Sequence, residues 1–170
     1  MALDFNHKLN QALKNISYSG EKQELLVNSP EEVFSNNPKQ IEKYGDVKWQ
    51  IVDMLNQKYS HLLKDKFDLY NWLNHDESDE VAYFLNESGS NCLNHSEFKA
   101  PHKFHIWMGK NGFILGIEQK GRGFNAEEIH NHEIKENEGA AFDFFRKCKS
   151  KIFFDDKNEA KMVFMEWKKD

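Results

Sequence analysis

Three polar side chains spaced by four, Glu87, Asn91 and His95, are the residues in this sequence whose types and placing could do chemistry. On a helix that spacing puts them on one stripe, beside the apolar face and not within it. A carboxylate one turn from an amide has a specific use. The amide oxygen can ligate Mg²⁺, a hard cation that takes oxygen ligands and keeps waters or phosphates in its shell. The carboxylate can act as general base toward a hydroxyl within reach. The same pattern also describes an ordinary solvated helix face.

Two glycine features add to it. Residues 112–118 read as a strand that runs into a loop broken at Gly121 and Gly123. Glycine there can take positive φ or let a ligand approach the backbone, although Gly-x-Gly also closes ordinary turns. Gly139 opens a helix, and a helix N-terminus offers unpaired N–H groups that suit phosphate. That signal is shared with any loop-to-helix junction.

The elements that would position these residues follow from periodicity. Leu3, Phe5, Leu9, Leu13 and Ile16 approach helical spacing, and residues 24–27 read as a strand. Trp49, Val52, Leu55, Tyr59 and Leu62 mark a helix with one buried face over residues 47–63. Val81, Phe84, Leu85, Ser88, Cys92 and Leu93 form the apolar side of the next helix, which ends near Asn94. Residues 102–108 alternate as a strand, and 109–112 form a hairpin turn in which Asn-Gly is the strongest cue. Residues 125–138 are polar and read as a loop over the sheet end. A helix over 139–149, with Phe142, Phe145 and Cys148 on one face, precedes a terminal hairpin at 151–154 and 160–167. The order predicts an α+β fold: a two-layer sandwich with a mixed, mostly antiparallel sheet covered by helices on one face. Residues 1–21 form an N-terminal extension to a domain over 22–170. They either dock on that domain or make a homodimer contact.

Composition narrows the classes. The chain has 170 residues, is 39% hydrophobic and 14% aromatic, and carries a net charge of −5. This is the composition of a globular domain with a core. No overall basic field favours nucleic acid. No apolar run is long enough to span a bilayer. Cys92 and Cys148 read as small buried hydrophobes of a reducing compartment, so a cytoplasmic location is expected. His130 and His132 read as surface histidines, because no third ligand stands at a metal-site spacing. His102 and His105 fall on opposite faces of a strand. Trp49, Trp72, Trp107 and Trp167 read as core or partner-facing rings. Lys147, Lys149 and Lys151 read as a solvated helix end.

Taken in order, the pieces resemble the histidine-kinase-like ATPase fold, and within it the bacterial anti-sigma-factor serine kinases. The family's asparagine box, N-E-A-x-x-N-A-x-x-H, is similar to Asn86-Glu87-Ser88-Gly89-Ser90-Asn91-Cys92-Leu93-Asn94-His95. Its D-x-G-x-G-F box is similar to Gln119-Lys120-Gly121-Arg122-Gly123-Phe124, and its G-x-G-L box to Gly139-Ala140-Ala141-Phe142. The resemblance covers roughly residues 22–167. It implies that Asn91 ligates a Mg²⁺ bridging the triphosphate of ATP, and that Glu87 activates a serine hydroxyl on a partner protein. Gly121 and Gly123 would lie against the nucleotide, residues 125–138 would be the ATP lid, and Gly139 would lead helix N–H groups to the phosphates. The implied partner is a regulatory protein of the sigma-factor or anti-sigma-antagonist type. Two positions depart from the pattern. Gln119 replaces the aspartate that receives the adenine amino group, and its neutral amide loses the charge assistance. Ala141 replaces the second glycine of the last box, where a methyl crowds any backbone needing positive φ. A degenerate member that binds only protein is the alternative.

Overall fold

The computed structural model describes residues 2–27, 38–92, 101–119, 121–136 and 140–169. In chain order the elements are α1 (Leu9–Asn15), β1 (Tyr18–Leu26), α2 (Pro38–Lys58), α3 (Tyr70–Leu73) and α4 (Glu80–Tyr83). A π-helical segment (Phe84–Cys92) continues α4 directly. Then follow β2 (Pro101–Gly109), β3 (Gly112–Gln119), α5 (Ala126–Glu136), α6 (Ala140–Lys147), β4 (Lys151–Phe154) and β5 (Met162–Lys168). The sheet order is β1-β2-β3-β5-β4, and every neighbouring pair is antiparallel. An isolated parallel bridge joins Leu3 to Ile152.

Alternation along the strands sorts side chains to two faces. Phe104, Ile106, Met108, Phe113, Leu115, Ile117, Val163 and Met165 point to the helical layer. There they meet Val47, Ile51, Val52 and Leu55 of α2, Val81 and Phe84 around α4, and Phe142 and Phe145 of α6. This is the expected α+β layering. The opposite face is not left to water. Ala12 of α1 and Ile16, which caps it, cover Trp107, Ile114, Phe153 and Phe164.

The N-terminal residues therefore dock on the domain's own sheet. Leu3 does not extend a helix; the Asp4 N–H donates to the Ile152 carbonyl at 2.8 Å, and the Ile152 N–H to the Ala2 carbonyl at 2.9 Å. The boundary expected at residue 21 falls inside β1, which begins at Tyr18. The polar 125–138 stretch is largely a helix, α5. Its amides explain why: Asn125 caps it, its Oδ1 accepting the Glu128 N–H at 2.9 Å. The helix expected to run to near Asn94 is α-helical over Glu80–Tyr83 only and widens over Phe84–Cys92, which contains a Ser-Gly-Ser-Asn run of weak helix formers; Leu93 and Asn94 lie outside the described residues.

The β2–β3 hairpin is closed without positive φ at Lys110 or Asn111. Its support comes from outside the turn. The Lys110 and Asn111 N–H groups donate to the Ser17 and Ile16 carbonyls at 3.2 and 3.1 Å. On the helical side Tyr59 reaches the first pair of the ladder. Its hydroxyl accepts the Gly109 N–H at 3.1 Å and lies 2.9 Å from the carbonyls of both Gly109 and Gly112. Burial raises its pKa to about 12. Gly109 and Gly112 have no room for a Cβ: it would meet the Ile16 and Trp167 carbonyl oxygens at 2.1 Å. Tyr59→Phe keeps the ring and removes the hydroxyl, leaving buried backbone groups unpaired. It should lower stability by about 1–3 kcal/mol, read as a fall in the urea midpoint at unchanged slope.

Candidate functional site

Glu87 lies in the π-helical segment and is partly exposed. Its Oε1 accepts the indole N–H of Trp72 at 2.8 Å. It lines a cleft of ≈ 420 Å³ whose walls include Trp72, Leu73, Glu77, Tyr83, Asp143 and Phe144. The cleft thus lies between α3, the wide helical segment and α6. Its polar wall is mostly acidic. Burial and the nearby Glu77, Glu87 and Asp76 carboxylates raise the Tyr83 phenol pKa. Leu73, in its wall, is 60% exposed; Tyr70, also on α3, is equally exposed, and its ring leans on Trp49 at 5.4 Å between centroids. An Asp79 carboxylate sets this wall. Its Oδ1 caps α4 through the Ala82 N–H at 3.0 Å, and its Oδ2 accepts from the Asp68 N–H at 2.8 Å and Asn71 Nδ2 at 2.9 Å.

The other expected residues divide. Asn91 is on the backbone of the same segment as Glu87, but its side chain lies outside the described ones. His95 and Gly139 lie outside the described residues, and Ala141 is placed in the first turn of α6 by its backbone alone. Gln119 ends β3, is buried, and uses its amide on the loop itself, Nε2 donating to the Arg122 carbonyl at 2.7 Å. Gly121 has φ +94°, a turn conformation suited to glycine. Gly123 is held against the neighbouring loop, where an added Cβ would meet the Glu159 carbonyl carbon at 2.6 Å. That close approach carries the Phe124–Ala160 bridge, with N–H···O distances of 3.1 and 2.7 Å.

Next to this loop, α5 is packed down. His130, expected on the surface, is buried between Phe5 and Phe142, with centroids 5.5 and 5.4 Å away. Phe124 and Phe142 both abut Phe154 at 6.2 and 6.3 Å. Loss of solvent, then the Arg146 charge, pushes the His130 pKa down. His132 is exposed. Cys148 is half-buried, and burial pushes its thiol up to about 12, which keeps it a thiol.

Lys48 is a residue that the sequence does not single out. It comes from α2 and donates to Asn86 Oδ1 at 2.7 Å, with its ammonium 4.4 Å from the Tyr44 ring centre. Burial lowers its pKa to about 8. Thirty-eight residues of chain separate the pair, so no spacing rule links them. Among the described residues, no group of three or more His, Cys, Asp or Glu is placed to hold a metal ion. No helix among them is long and apolar enough to cross a membrane.

Two outcomes test these roles. Gly123→Ala should destabilise the fold by about 1–3 kcal/mol in urea unfolding, with no ligand added; unchanged stability would return the glycine to a ligand role. For His130 the folded pKa lies below the ordinary 6.5, so its contribution is complete above that value. It is lost as pH falls from there through the folded pKa, because the unfolded chain binds the proton first. His130→Phe should flatten the acid side of the stability–pH curve, measured as urea midpoints across that window.

No family model, curated protein or solved structure matches this chain.

Proposed function

We propose that this chain is a regulatory domain that acts by binding a partner protein at the cleft beside Glu87, without nucleotide chemistry of its own. One observation carries the reading: among the described residues, the glycine loop and α5, expected to face a nucleotide, are engaged by the fold. Gln119 donates its Nε2 to the Arg122 carbonyl while its Oε1 is buried without a partner among the described residues, Gly123 lies under the Glu159 backbone, and α5 rests on aromatic rings. The Glu87 cleft, by contrast, is open and has the exposed Leu73 in its wall. An apolar rim around an acidic wall suits a partner segment that inserts a cation between apolar side chains. The resemblance supplies the class of partner, a regulatory protein of the sigma-factor or anti-sigma-antagonist type.

A second reading keeps ATP and Mg²⁺. It is favoured by Glu87 facing an open cleft beside α6, and by the Lys48 ammonium next to Asn86. In that case Asn91 ligates the metal and Glu87 takes the proton from a partner serine.

Calorimetry separates the two. The first reading expects no heat from ATP with Mg²⁺ at millimolar concentration. It also expects Leu73→Ala to lose a co-purifying partner while its thermal transition is kept. Magnesium-dependent ATP binding that Asn91→Ala removes would replace it with the second. Glu87→Ala should then abolish phosphotransfer with little loss of affinity.

A further inference from the structure

A larger cleft opens at the other side of residues 76–80, where β4 begins and β5 ends. Its volume is ≈ 620 Å³, within the roughly 300–1,000 Å³ of small-molecule sites. Antiparallel pairing of β4 with β5 brings Lys149 and Lys151 beside Lys168 and Lys169, although the two pairs are far apart in sequence. The hydroxyls of Ser78 and Ser150 complete the polar wall, and Trp167 supplies an aromatic one. Two carboxylates also face this cleft, Glu80 and Glu166, but both are engaged. Glu80 accepts the backbone N–H groups of Lys149 and Ser150 at 3.0–3.3 Å. Glu166 is buried and bonds His7 Nε2 at 2.9 Å and Asn15 Nδ2 at 3.2 and 3.3 Å. Among the described residues, Lys149, Lys168 and Lys169 have no ion pair, and Lys151 has only Asp4 at 3.9 Å. A chain of net charge −5 has therefore gathered four ammonium groups against two carboxylates in one concavity, a formal excess of positive charge.

We infer that this cleft binds a small polyphosphate, the shared group of inorganic tripolyphosphate and of a nucleoside triphosphate. Ammonium groups at both strand ends would face alternate phosphates as point charges, with the Ser150 hydroxyl donating to an oxygen between them; the Ser78 hydroxyl already donates to Asp76 Oδ1 at 2.5 Å. Concavity and the short distance spanned favour a compact polyanion over an extended acidic peptide. This site is separate from the Glu87 cleft and needs no metal.

The test is calorimetric titration of the full chain with tripolyphosphate and, separately, ATP, both in EDTA at low salt. EDTA removes the Mg²⁺-dependent binding that the Glu87 region would give. Binding of tripolyphosphate is expected, weakening as salt rises. Lys168→Ala with Lys169→Ala should weaken it about tenfold or more, and Lys149→Ala alone should weaken it from the opposite wall if the double variant fails to fold. Equal affinity for the two ligands identifies the phosphate chain as what is read; tighter ATP binding identifies a nucleotide, with its base on the Trp167 side. Both support the site. No binding of either ligand, affinity untouched by the lysine variants, or tighter binding of a poly-glutamate peptide would overturn it.

Discussion

Burial of β3 on both faces is the constraint from which most of this structure follows. Every residue from Gly112 to Gln119 is buried except the partly exposed Glu118. A strand of that kind cannot lie in a two-layer fold with one face in water, because Ile114 would be exposed along with Trp107 and Phe164 beside it. The helical layer covers Phe113, Leu115 and Ile117, and the N-terminal segment has to cover the rest. Gly116 belongs to the same constraint. A Cβ there would lie 3.2 Å from the Phe164 and Trp107 rings, so the glycine lets those rings close over the strand. Docking residues 2–16 on a sheet also brings polar groups inside. Glu166 points to the face that α1 covers, and its bonds to His7 and Asn15 satisfy a carboxylate that would otherwise be buried without partners.

The same economy of space governs the glycine loop. A glycine that permits close approach does not say what approaches. At Gly123 it is the Glu159 backbone, and the contact extends the β3–β5 pairing past the strand ends through Phe124 and Ala160. Gln119 closes the other side of the loop by holding the Arg122 carbonyl. An aspartate here could not donate that bond. The departure of this position from the kinase-like pattern therefore has a structural consequence as well as a chemical one: the amide supplies a donor that the loop uses.

Periodicity made the repeating parts of the fold legible. The alternation at 102–108, the apolar stripe at 139–149 and the terminal hairpin correspond to observed elements within a few residues at their described ends, whereas the helix expected over 47–63 begins earlier, at Pro38, and ends at Lys58. What spacing could not show was contact across the chain. His130 looks like a surface histidine because its neighbours Asn131 and His132 are polar, yet it is buried by Phe5, 125 residues earlier, and by Phe142. Lys48 and Asn86 meet only because α2 packs beside the segment that follows α4. The π-helical turn is hidden for a different reason. Widening from i+4 to i+5 hydrogen bonding leaves the apolar positions Val81, Phe84, Leu85 and Ser88 on a face that still reads as an α-helix. Glu87 was legible as a polar residue beside that face. Its Trp72 partner and its cleft were not, because α3 spans four residues and carries too short a pattern to read.

Charge is segregated across a single short piece of backbone. Glu77 faces the acidic cleft beside Glu87, whereas Ser78 and Glu80 face the lysine cleft at the end of β5. Asp79 lies between them, and its carboxylate fixes both the α3 connection and the start of α4. Fields of opposite sign this close would partly cancel in water, but each is concave, and low-dielectric walls confine it to its own cleft. The two surfaces therefore select occupants of opposite charge independently, while their shared wall is held by one buried carboxylate. That wall also explains why Glu80 makes no direct ion pair with the lysines near it. Its oxygens are turned onto the Lys149 and Ser150 N–H groups, where they close the α6–β4 junction and leave the ammonium groups to the solvent side.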